Sequence, residues 1–499
     1  MKKIKILLGL LLILCSASAG AQVLKGSYFL DHSVNRHKMN PAFAPRANYF
    51  QLPVLGNIGF GMYSNLDITS FVTPLDNGKL GTFLHPSVSM DDFNKMMPKH
   101  PHLDMDLSTN LFSFGFYTKR KSFWTFELDT RVMLDIDLPR DIFTFMKKGA
   151  GTAGDSFNVG NMNVYFTSGV QASLGYSRDI MKGLRAGLKV RAIAPIAYMG
   201  YNFENVRLST SEDKWTINTE GYAYAALNGL EMNIPEGEMA PQVGFDLSKT
   251  LANGVVAGYG VSFDLGVEYK LQVGSVFDGL AVSAAVTDLG AIFYKDEAVS
   301  AFKTSGKAEW TGLQNISLTD EMAFEESLNE FVNSLEGLVN LSEMDYGKSF
   351  RRSTMPRVYI GVEQPFLWRT MSVGLLYSAR FSHSYARHEL TASYNLKPCK
   401  WFAIGLNYSF LNARNSIGWM IELTPKVGPT IYLGGDYLPM EFAQVPLLEN
   451  TLGEFPLQLP AKGLTTWAIP TSMRLNLNFG IAFNLGSKYA NPKKVKKIK

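Results

Sequence analysis

Two histidines and two aspartates alternate along one short stretch of the chain and could together bind a metal ion. The residues are His100, His102, Asp104 and Asp106, and imidazole and carboxylate groups are common Zn²⁺ ligands. The stretch is rich in proline, which predicts a loop, and no further ligand lies close by in the sequence. The pattern therefore favours a solvated loop over a metal site.

A second cluster could support hydrolysis, which needs a serine nucleophile beside a histidine general base. Ser382, His383, Ser384 and His388 offer both residue types within a few positions. They fall in one predicted hairpin turn, where polar side chains are expected for solvation alone. We therefore predict that the protein is not an enzyme and has no catalytic residues.

A third motif has the glycine spacing of a nucleotide-binding turn. Gly149, Gly151 and Gly154 match GxGxxG, but that motif requires a strand before it and a helix after it. Neither is predicted at this position. The sequence favours a flexible loop here, and we predict no cofactor.

The elements that position these residues are predicted to be strands, because apolar side chains recur at every second residue in many strand-length stretches. Alternate side chains of a strand point to opposite faces. A face of apolar residues opposite a polar one fits a barrel with lipid outside and a wet lumen, and closure leaves no unpaired edge in the bilayer. The prediction is an all-β, transmembrane, antiparallel β-barrel of about fourteen strands, within limits of roughly twelve and sixteen.

The polar faces of these strands carry charges of both signs. The charged residues predicted to face the lumen are Glu127, Asp129, Arg131, Arg185, Lys189, Arg191, Asp264 and Glu268. Acidic and basic strands are close in the sequence, so one interpretation is that the charges pair with one another inside the barrel. The other interpretation, which stays open, is selectivity for an anionic ligand.

The chain begins with the pattern of an export signal. Lys2, Lys3 and Lys5 precede an apolar run at residues 6–14, which is too short to span a bilayer, and a small-residue cleavage site ends at Ala21. Cleavage after Ala21 would leave Cys399 as the single thiol, so no intramolecular disulfide is expected. These features predict localisation in the outer membrane of a Gram-negative cell.

Four further segments are predicted along the exported chain. Residues 22–47 form a plug or rim segment, residues 48–486 form the barrel, and residues 487–499 form a basic periplasmic tail. The lysines of the signal and the tail outnumber the formal net charge of +4, so the barrel between them carries a net negative charge. No nucleic-acid binding is therefore expected. Within the barrel, residues 319–345 form a helical loop insertion.

The insertion breaks the strand pattern. Leu328, Phe331, Leu335 and Leu338 recur at helical spacing, and acidic residues surround them without a basic residue among them. Two interpretations are open, a lid that packs on the barrel mouth and a docking surface for a protein partner or ligand.

Short motifs resemble a known group of barrels. Asn40-Pro41-Ala42, Asp264-Leu265-Gly266 with Tyr269, and Thr287-Asp288-Leu289-Gly290 are similar to the long-chain fatty-acid transporter (FadL-like) superfamily. The resemblance is nearest to an outer-membrane branch related to type IX secretion shuttle barrels. It implies a fourteen-stranded barrel plugged by its N-terminal segment, through which transporter members pass hydrophobic molecules by way of the plug and a lateral opening. The helical insertion is a departure from that pattern.

Two functions follow as hypotheses. The first is passive uptake of hydrophobic or amphipathic small molecules through the plugged barrel, with Asn40, Pro41 and Phe43 as plug or ligand residues. The second is a non-transport interaction protein, a secretion-linked shuttle or an assembly scaffold, that binds protein partners through residues 319–345. In both, outer-membrane lipid surrounds the barrel.

Overall fold

The structure is a computed structural model. It describes residues 24–486 except 54, 75–79, 149–155, 159, 161, 211–214, 234–241, 246–247, 249, 251–253, 275–276, 311–340, 344–349, 368–369, 384, 400, 412–414, 426, 439–441, 447–465 and 471. The predicted signal peptide with its cleavage site, the basic tail and the glycine motif at 149–154 therefore lie outside the described residues.

Strands dominate the described part of the chain. They are β1 (Asn48–Gln51), β2 (Ile58–Ser64), β3 (Val72–Pro74), β4 (Leu80–Thr82), β5 (His102–Tyr117), β6 (Phe123–Asp137), β7 (Ser156–Asn158), β8 (Met162–Met181), β9 (Leu184–Thr210), β10 (Trp215–Ala226), β11 (Leu230–Asn233), β12 (Gln242–Phe245), β13 (Gly258–Lys270), β14 (Ala281–Tyr294), β15 (Val299–Trp310), β16 (Leu341–Glu343), β17 (Arg351–Ser353), β18 (Arg357–Phe366), β19 (Met371–Phe381), β20 (Ala386–Cys399), β21 (Phe402–Leu411), β22 (Ser416–Leu423), β23 (Gly428–Leu438), β24 (Phe442–Pro446), β25 (Thr466–Pro470) and β26 (Arg474–Gly486).

Fourteen wall positions close into an antiparallel barrel. Around the ring they are β1 with β2, then β5, β6, β8, β9, β13, β14, β17 with β18, β19, β20, β21, β22, β23 and β26. The ring closes where the last strand pairs with the first, as in the register of Phe50 with Phe483. Closure gives every wall strand two neighbours and removes the edge that a bilayer could not satisfy. The predicted all-β barrel of about fourteen strands is confirmed.

β1 and β2 together fill one position of the wall, as β17 and β18 fill another. β1 and β2 are separated by residues 52–57, where Gln51 Nε2 donates a hydrogen bond to the Gly56 carbonyl at 2.6 Å. Both strands pair with β5 and β26. The sequence pattern predicts one continuous strand from Phe50 to Tyr63, and this prediction is wrong in its middle, because Pro53 and Gly56 favour a turn.

The wall strands have an apolar outer face and a polar inner face. On β13, Phe263 and Leu265 are exposed, whereas Asp264 between them is buried. On β6, Glu127 and Asp135 are buried in the same way. The alternation follows from the pleat of the strand, which turns successive side chains to opposite sides. The lumen therefore holds the polar set, and an apolar belt surrounds the barrel.

β9 is 27 residues long, whereas about nine to eleven residues suffice to cross a bilayer. It pairs with β13 as far as Ile193 and with β10 from Tyr198 onward, and β15 and β16 continue the sheet from β10. We call this end of the barrel the extended end and the opposite end, with its short turns, the turn end. The sequence pattern predicts a separate strand at 202–211, but residues 202–210 are part of β9, because Pro195 lies at a bulge within the strand and does not end it.

In the part of the chain that the structure describes, three short α-helices accompany the strands: α1 (Ile68–Phe71), α2 (Met90–Met96) and α3 (Arg140–Lys148). The sequence pattern predicts one or two helical turns at 141–148, and α3 confirms them. The helices and the adjoining loops bury a small hydrophobic cluster that includes Phe83, Phe93 and Phe143. Among the described residues, no helix has both the length and the apolar character needed to cross a membrane.

Most of the predicted helical insertion at 319–345 lies outside the described residues. Its described part, Leu341–Glu343, is not helical but forms β16, which pairs with Phe302–Thr304 of β15. The prediction of a helix is therefore wrong for these three residues, where hydrogen bonds to a neighbouring strand replace helical ones. The partner-docking role of the insertion stays a prediction.

Candidate functional site in the barrel lumen

Most of residues 24–47 are buried although none of them belongs to a strand of the wall; we call them the N-terminal segment. Its first half contacts inward side chains of β18 to β23, and its second half contacts β1, β6, β9 and β13. The segment therefore reaches across the lumen in the half of the barrel near the turn end. Its buried apolar side chains are Leu24, Tyr28, Phe29, Leu30, Val34, Met39, Ala42 and Phe43.

Inward glycines of the wall make room for this segment. A Cβ atom at Gly187 would overlap the backbone of Pro41, and one at Gly266 would overlap the Asn40 side chain. Comparable overlaps arise for Gly361 with Tyr28, Gly374 with Phe29 and Gly434 with Leu24. Because glycine lacks a side chain, it allows another part of the chain to approach the strand backbone closely. The wall is thus shaped to the segment.

The predicted plug residues Asn40, Pro41 and Phe43 all lie where the segment meets the wall. Asn40 Nδ2 donates to the carbonyl of Val267 at 3.2 Å, and its Oδ1 accepts from the Ala42 amide at 2.9 Å. The Phe43 ring lies 4.9 Å from that of Tyr28. Asn40 therefore stabilises the bend of the segment and also binds the segment to β13.

Charged side chains of the segment pair with the wall. Lys38 Nζ lies 2.9 Å from Asp129, and the Arg36 guanidinium lies 3.9 Å from Glu268. Lys25 pairs with Glu389 on β20. Because these wall carboxylates are on strands at different sides of the barrel, the ion pairs hold the segment at several points around the lumen.

His32 lies in the segment beside four charged side chains. Burial and the neighbouring Arg46, Lys397 and Arg36 cations lower its pKa to about 4, against the opposing effect of Asp31. Arg46 Nη1 and His32 Nε2 are 2.8 Å apart, so the neutral imidazole can accept a hydrogen bond from the guanidinium. Protonation would replace this bond with a repulsion between two cations.

The seating of the segment is therefore expected to weaken as pH falls from 6.5 toward 4. The folded state resists protonation in this window while a released His32 binds a proton, so each pH unit costs up to about 1.4 kcal/mol. Limited proteolysis of the segment should become several-fold faster between pH 7 and pH 5. In the His32→Asn variant, which cannot titrate, cleavage rates should be equal at both pH values. A wild-type rate that does not change with pH would contradict the assignment.

All eight charged residues predicted to face the lumen have a partner of opposite charge. The pairs are Glu127 with Lys189 at 2.5 Å, Asp129 with Lys38 at 2.9 Å, Arg131 with Asp106 at 2.7 Å, Arg185 with Asp179 at 2.8 Å, Arg191 with Asp264 at 2.5 Å and Glu268 with Lys270 at 3.0 Å. These contacts favour the structural interpretation of the charges over a free anion-selective surface.

Three arginines reach across the lumen to carboxylates on the far wall. The pairs are Arg357 with Asp106 at 2.9 Å, Arg380 with Asp135 at 3.3 Å and Arg387 with Asp104 at 3.4 Å. Counted around the ring of fourteen, β5 and β18 are six positions apart, so these pairs join nearly opposite walls. The sequence alone does not single out the arginines, although their place on the inward face of predicted strands is a signal that could find them.

The histidine and aspartate stretch is not the predicted loop. His102, Asp104 and Asp106 belong to β5, because two-residue alternation continues from them into the strand. The His102 ring stacks on Tyr385 at 4.1 Å between centroids, and both aspartates face arginines. No group of three metal-binding side chains occurs within the part of the chain that the structure describes.

The serine and histidine cluster is divided between two faces of the wall. Ser382 Oγ donates to Asp135 in the lumen at 3.3 Å, whereas His388 Nδ1 pairs with the Tyr377 hydroxyl at 2.8 Å among exposed residues. These two residues therefore cannot act together as nucleophile and base.

An aromatic pocket lies farther toward the extended end. It has a volume of about 40 Å³ and is lined by Arg131, Ile193, Pro195, Tyr198, Asp288, Ile292, Tyr294, Arg352 and His383 among others. The guanidinium of Arg352 lies 4.9 Å from the centre of the Phe350 ring, and it forms no ion pair with the described residues. The pocket thus combines apolar walls with one cation that lacks a carboxylate partner there.

The pocket borders an irregular point of the wall. The register of β8 with β9 shifts between Ser168 and Gly169, and here β9 changes its second partner from β13 to β10. One hydrogen bond, from the Ala257 amide to the Pro195 carbonyl at 2.8 Å, bridges the change. The wall is therefore held by fewer ladder bonds beside the pocket than elsewhere on β9.

The family of unknown function DUF5723 matches residues 41–436. The chain belongs to this family. No curated protein matches it. The match covers the end of the N-terminal segment, from Pro41, and the wall as far as β23.

Solved barrels are similar to the chain at low identity. The toluene transporter TodX of P. putida is 12% identical, with 91% of this chain and 94% of that chain covered and a TM-score of 0.38. The toluene transporter TbuX of Ralstonia pickettii is 8% identical, with 91% and 94% covered and a TM-score of 0.37. A FadL homologue of Pseudomonas aeruginosa is 10% identical, with 93% and 96% covered and a TM-score of 0.36. The predicted relation to type IX secretion shuttle barrels has no support in these matches.

Proposed function

We propose that this member of the family is an outer-membrane barrel for passive uptake of hydrophobic or amphipathic small molecules, with its N-terminal segment as plug. The observation that carries the proposal is the lumen itself, which a segment of the same chain fills through glycine contacts and ion pairs. These contacts are noncovalent and take no part in the strand pairing of the wall. A plug held in this way can shift without unfolding the wall.

The outer surface supports a membrane position. Apolar side chains such as Val261, Leu265 and Leu406 are exposed around the wall, and lipid would cover them. Bacterial outer-membrane barrels have short periplasmic turns and longer outer loops. By that pattern the turn end faces the periplasm and the extended end faces outward.

The aromatic pocket supports the class of solute. Its tyrosines and isoleucines suit an apolar body, and Arg352 suits an anionic head group or a polarisable ring. Its volume of about 40 Å³ is small beside a cavity of about 150 Å³ that holds benzene. A solute therefore enters only when the surrounding contacts separate. We place this movement at the irregular wall beside Gly169 and at the bend at Asn40.

The proposal is tested by uptake of the apolar dye N-phenyl-1-naphthylamine into bacteria that produce the protein. We expect faster uptake than in cells with the empty vector, and a loss of most of the gain in an Ile292→Trp variant that fills the pocket. The matched control is Leu289→Trp, on the exposed face of the same strand, which should keep the gain. Entry of the polar substrate nitrocefin should not change in any of these cells.

Dye uptake equal to that of vector cells would contradict the proposed function. Equal uptake by the two tryptophan variants would remove the pocket from the route.

A further inference from the structure

The lumen contains a second barrier besides the N-terminal segment. Ten charged side chains form ion pairs at the level between the segment and the aromatic pocket; we call them the charged septum. Its members are Arg131, Arg191, Arg357, Arg380 and Arg387 with Asp104, Asp106, Asp135, Asp264 and Asp288. Five formal positive charges therefore face five formal negative charges.

The septum spans the lumen in two directions. On one side, Arg191 of β9 pairs with Asp264 of β13 and with Asp288 of β14. Arg131 of β6 lies 3.5 Å from Asp288 and 2.7 Å from Asp106. These contacts form a chain of alternating charges along that side of the barrel.

At the centre, the pairs of Arg357, Arg380 and Arg387 tie β18, β19 and β20 to β5 and β6 on the far wall. An arginine and an aspartate in contact cannot span an open pore of this strand number, so the two walls approach each other here. The lumen is pinched at this level into one lobe beside β9 and another beside β22.

The lobe beside β22 is closed by further contacts. Arg387 lies over the Tyr63 ring at 4.2 Å, and the rings of Tyr63 and Tyr437 are 5.9 Å apart. Asn476 Nδ2 donates to Asp436 at 3.0 Å. Polar groups in this lobe thus bind one another across it.

The backbone of one septum member is unusual. Asp288 has φ of 58°, a left-handed conformation that non-glycine residues adopt at a cost. Its amide donates to Asp264 Oδ1 at 2.8 Å, and its carbonyl accepts from Thr354 Oγ1 at 2.5 Å. The surroundings therefore hold its carboxylate against Arg191 and Arg131 in spite of the backbone cost.

We propose that the charged septum determines specificity by excluding ions and hydrophilic solutes, whether or not the N-terminal segment is in place. An ion that crosses must separate buried ion pairs. Each separated pair would leave uncompensated charges in the lumen. The proposal rests on the membrane position of the barrel and not on uptake of hydrophobic solutes. It makes the protein unlike a general porin even after its plug is removed.

The experiment measures ion conductance in planar bilayers for four forms of the barrel. They are the wild type, a form lacking residues 23–44, a septum variant and the combination of both changes. The septum variant replaces Asp104, Asp106, Asp135, Arg357, Arg380 and Arg387 by serine, which leaves the net charge unchanged. Both single changes should conduct within about twofold of the wild type, whereas the combination should conduct at least roughly tenfold more.

Removal of one pair should have an effect of the same kind, so Asp106→Ser with Arg357→Ser in the form without the segment should leak. Resistance of the unheated barrel to unfolding in detergent confirms that each form is folded.

High conductance on removal of the segment alone would overturn the proposal. If the serine variant does not fold, labelling gives a second test. In the form without the segment and with Cys399→Ser, Thr391→Cys on the turn-end side of the septum should resist an impermeant thiol reagent added from outside, and rapid labelling would again overturn the proposal. Dye uptake tests the proposed function and not the septum. A loss of dye uptake therefore leaves the conclusion from conductance and labelling unchanged.

Discussion

Deletion of residues 23–44 is expected to raise uptake of N-phenyl-1-naphthylamine several-fold while the barrel stays folded. The deleted stretch fills the lumen at the turn end, so a solute that leaves the aromatic pocket would meet one barrier, the charged septum, instead of two in series. The wall keeps its strand pairing because the ladders around the ring do not pass through the segment. Carboxylates that lose a partner, such as Asp129 and Glu268, would be rehydrated in the vacated space.

Two controls make this deletion informative. Nitrocefin entry should stay at the wild-type level, because the charged septum remains in place. A form in which residues 23–44 keep their length but have Asn40→Gly, Arg36→Ser and Lys38→Ser should give an intermediate gain. Unchanged dye uptake in a folded deletion form would remove the plug from the mechanism.

The second large effect is expected from Gly266→Leu, which should release the second half of the N-terminal segment. A Cβ atom at this position would overlap the Asn40 side chain and the Pro41 ring, and overpacking of this kind costs about 1–3 kcal/mol. The segment can relieve the overlap by leaving its seat, since the wall on either side is fixed by two ladders. We expect protease cleavage within the segment to accelerate about tenfold or more, which corresponds to about 1.4 kcal/mol.

The matched control is Val267→Leu, which enlarges the next side chain on the same strand but faces outward. It should leave the cleavage rate unchanged. Thermal unfolding of the wall should be nearly the same for both variants, because each substitution leaves the β9–β13–β14 ladders intact. Equal cleavage of the two variants would show that the glycine seat does not hold the segment.

The faces of the strands are predictable from the sequence for a local reason. Successive side chains of a strand point to opposite sides whatever its neighbours are, so Glu127, Lys189 and Asp264 are placed in the lumen by the alternation alone. The number of strands follows from the same repeat. The break at residues 52–57 is harder to predict, because apolar residues continue across it and only Pro53 and Gly56 indicate the turn.

The partners of the inward charges depend on the tertiary structure. Arg357 and Asp106 are 251 residues apart in the chain, and they meet because the barrel closes and its opposite walls approach. The stretch around His102 shows the same dependence, since its aspartates resemble metal ligands until the far wall supplies arginines. The glycines that seat the N-terminal segment likewise look like weak strand positions until the segment lies against them. Alternation along a strand is set by each residue's own backbone, so it is visible in the sequence. Closure around the lumen is set by contacts between distant strands, so it becomes visible only when the chain is folded.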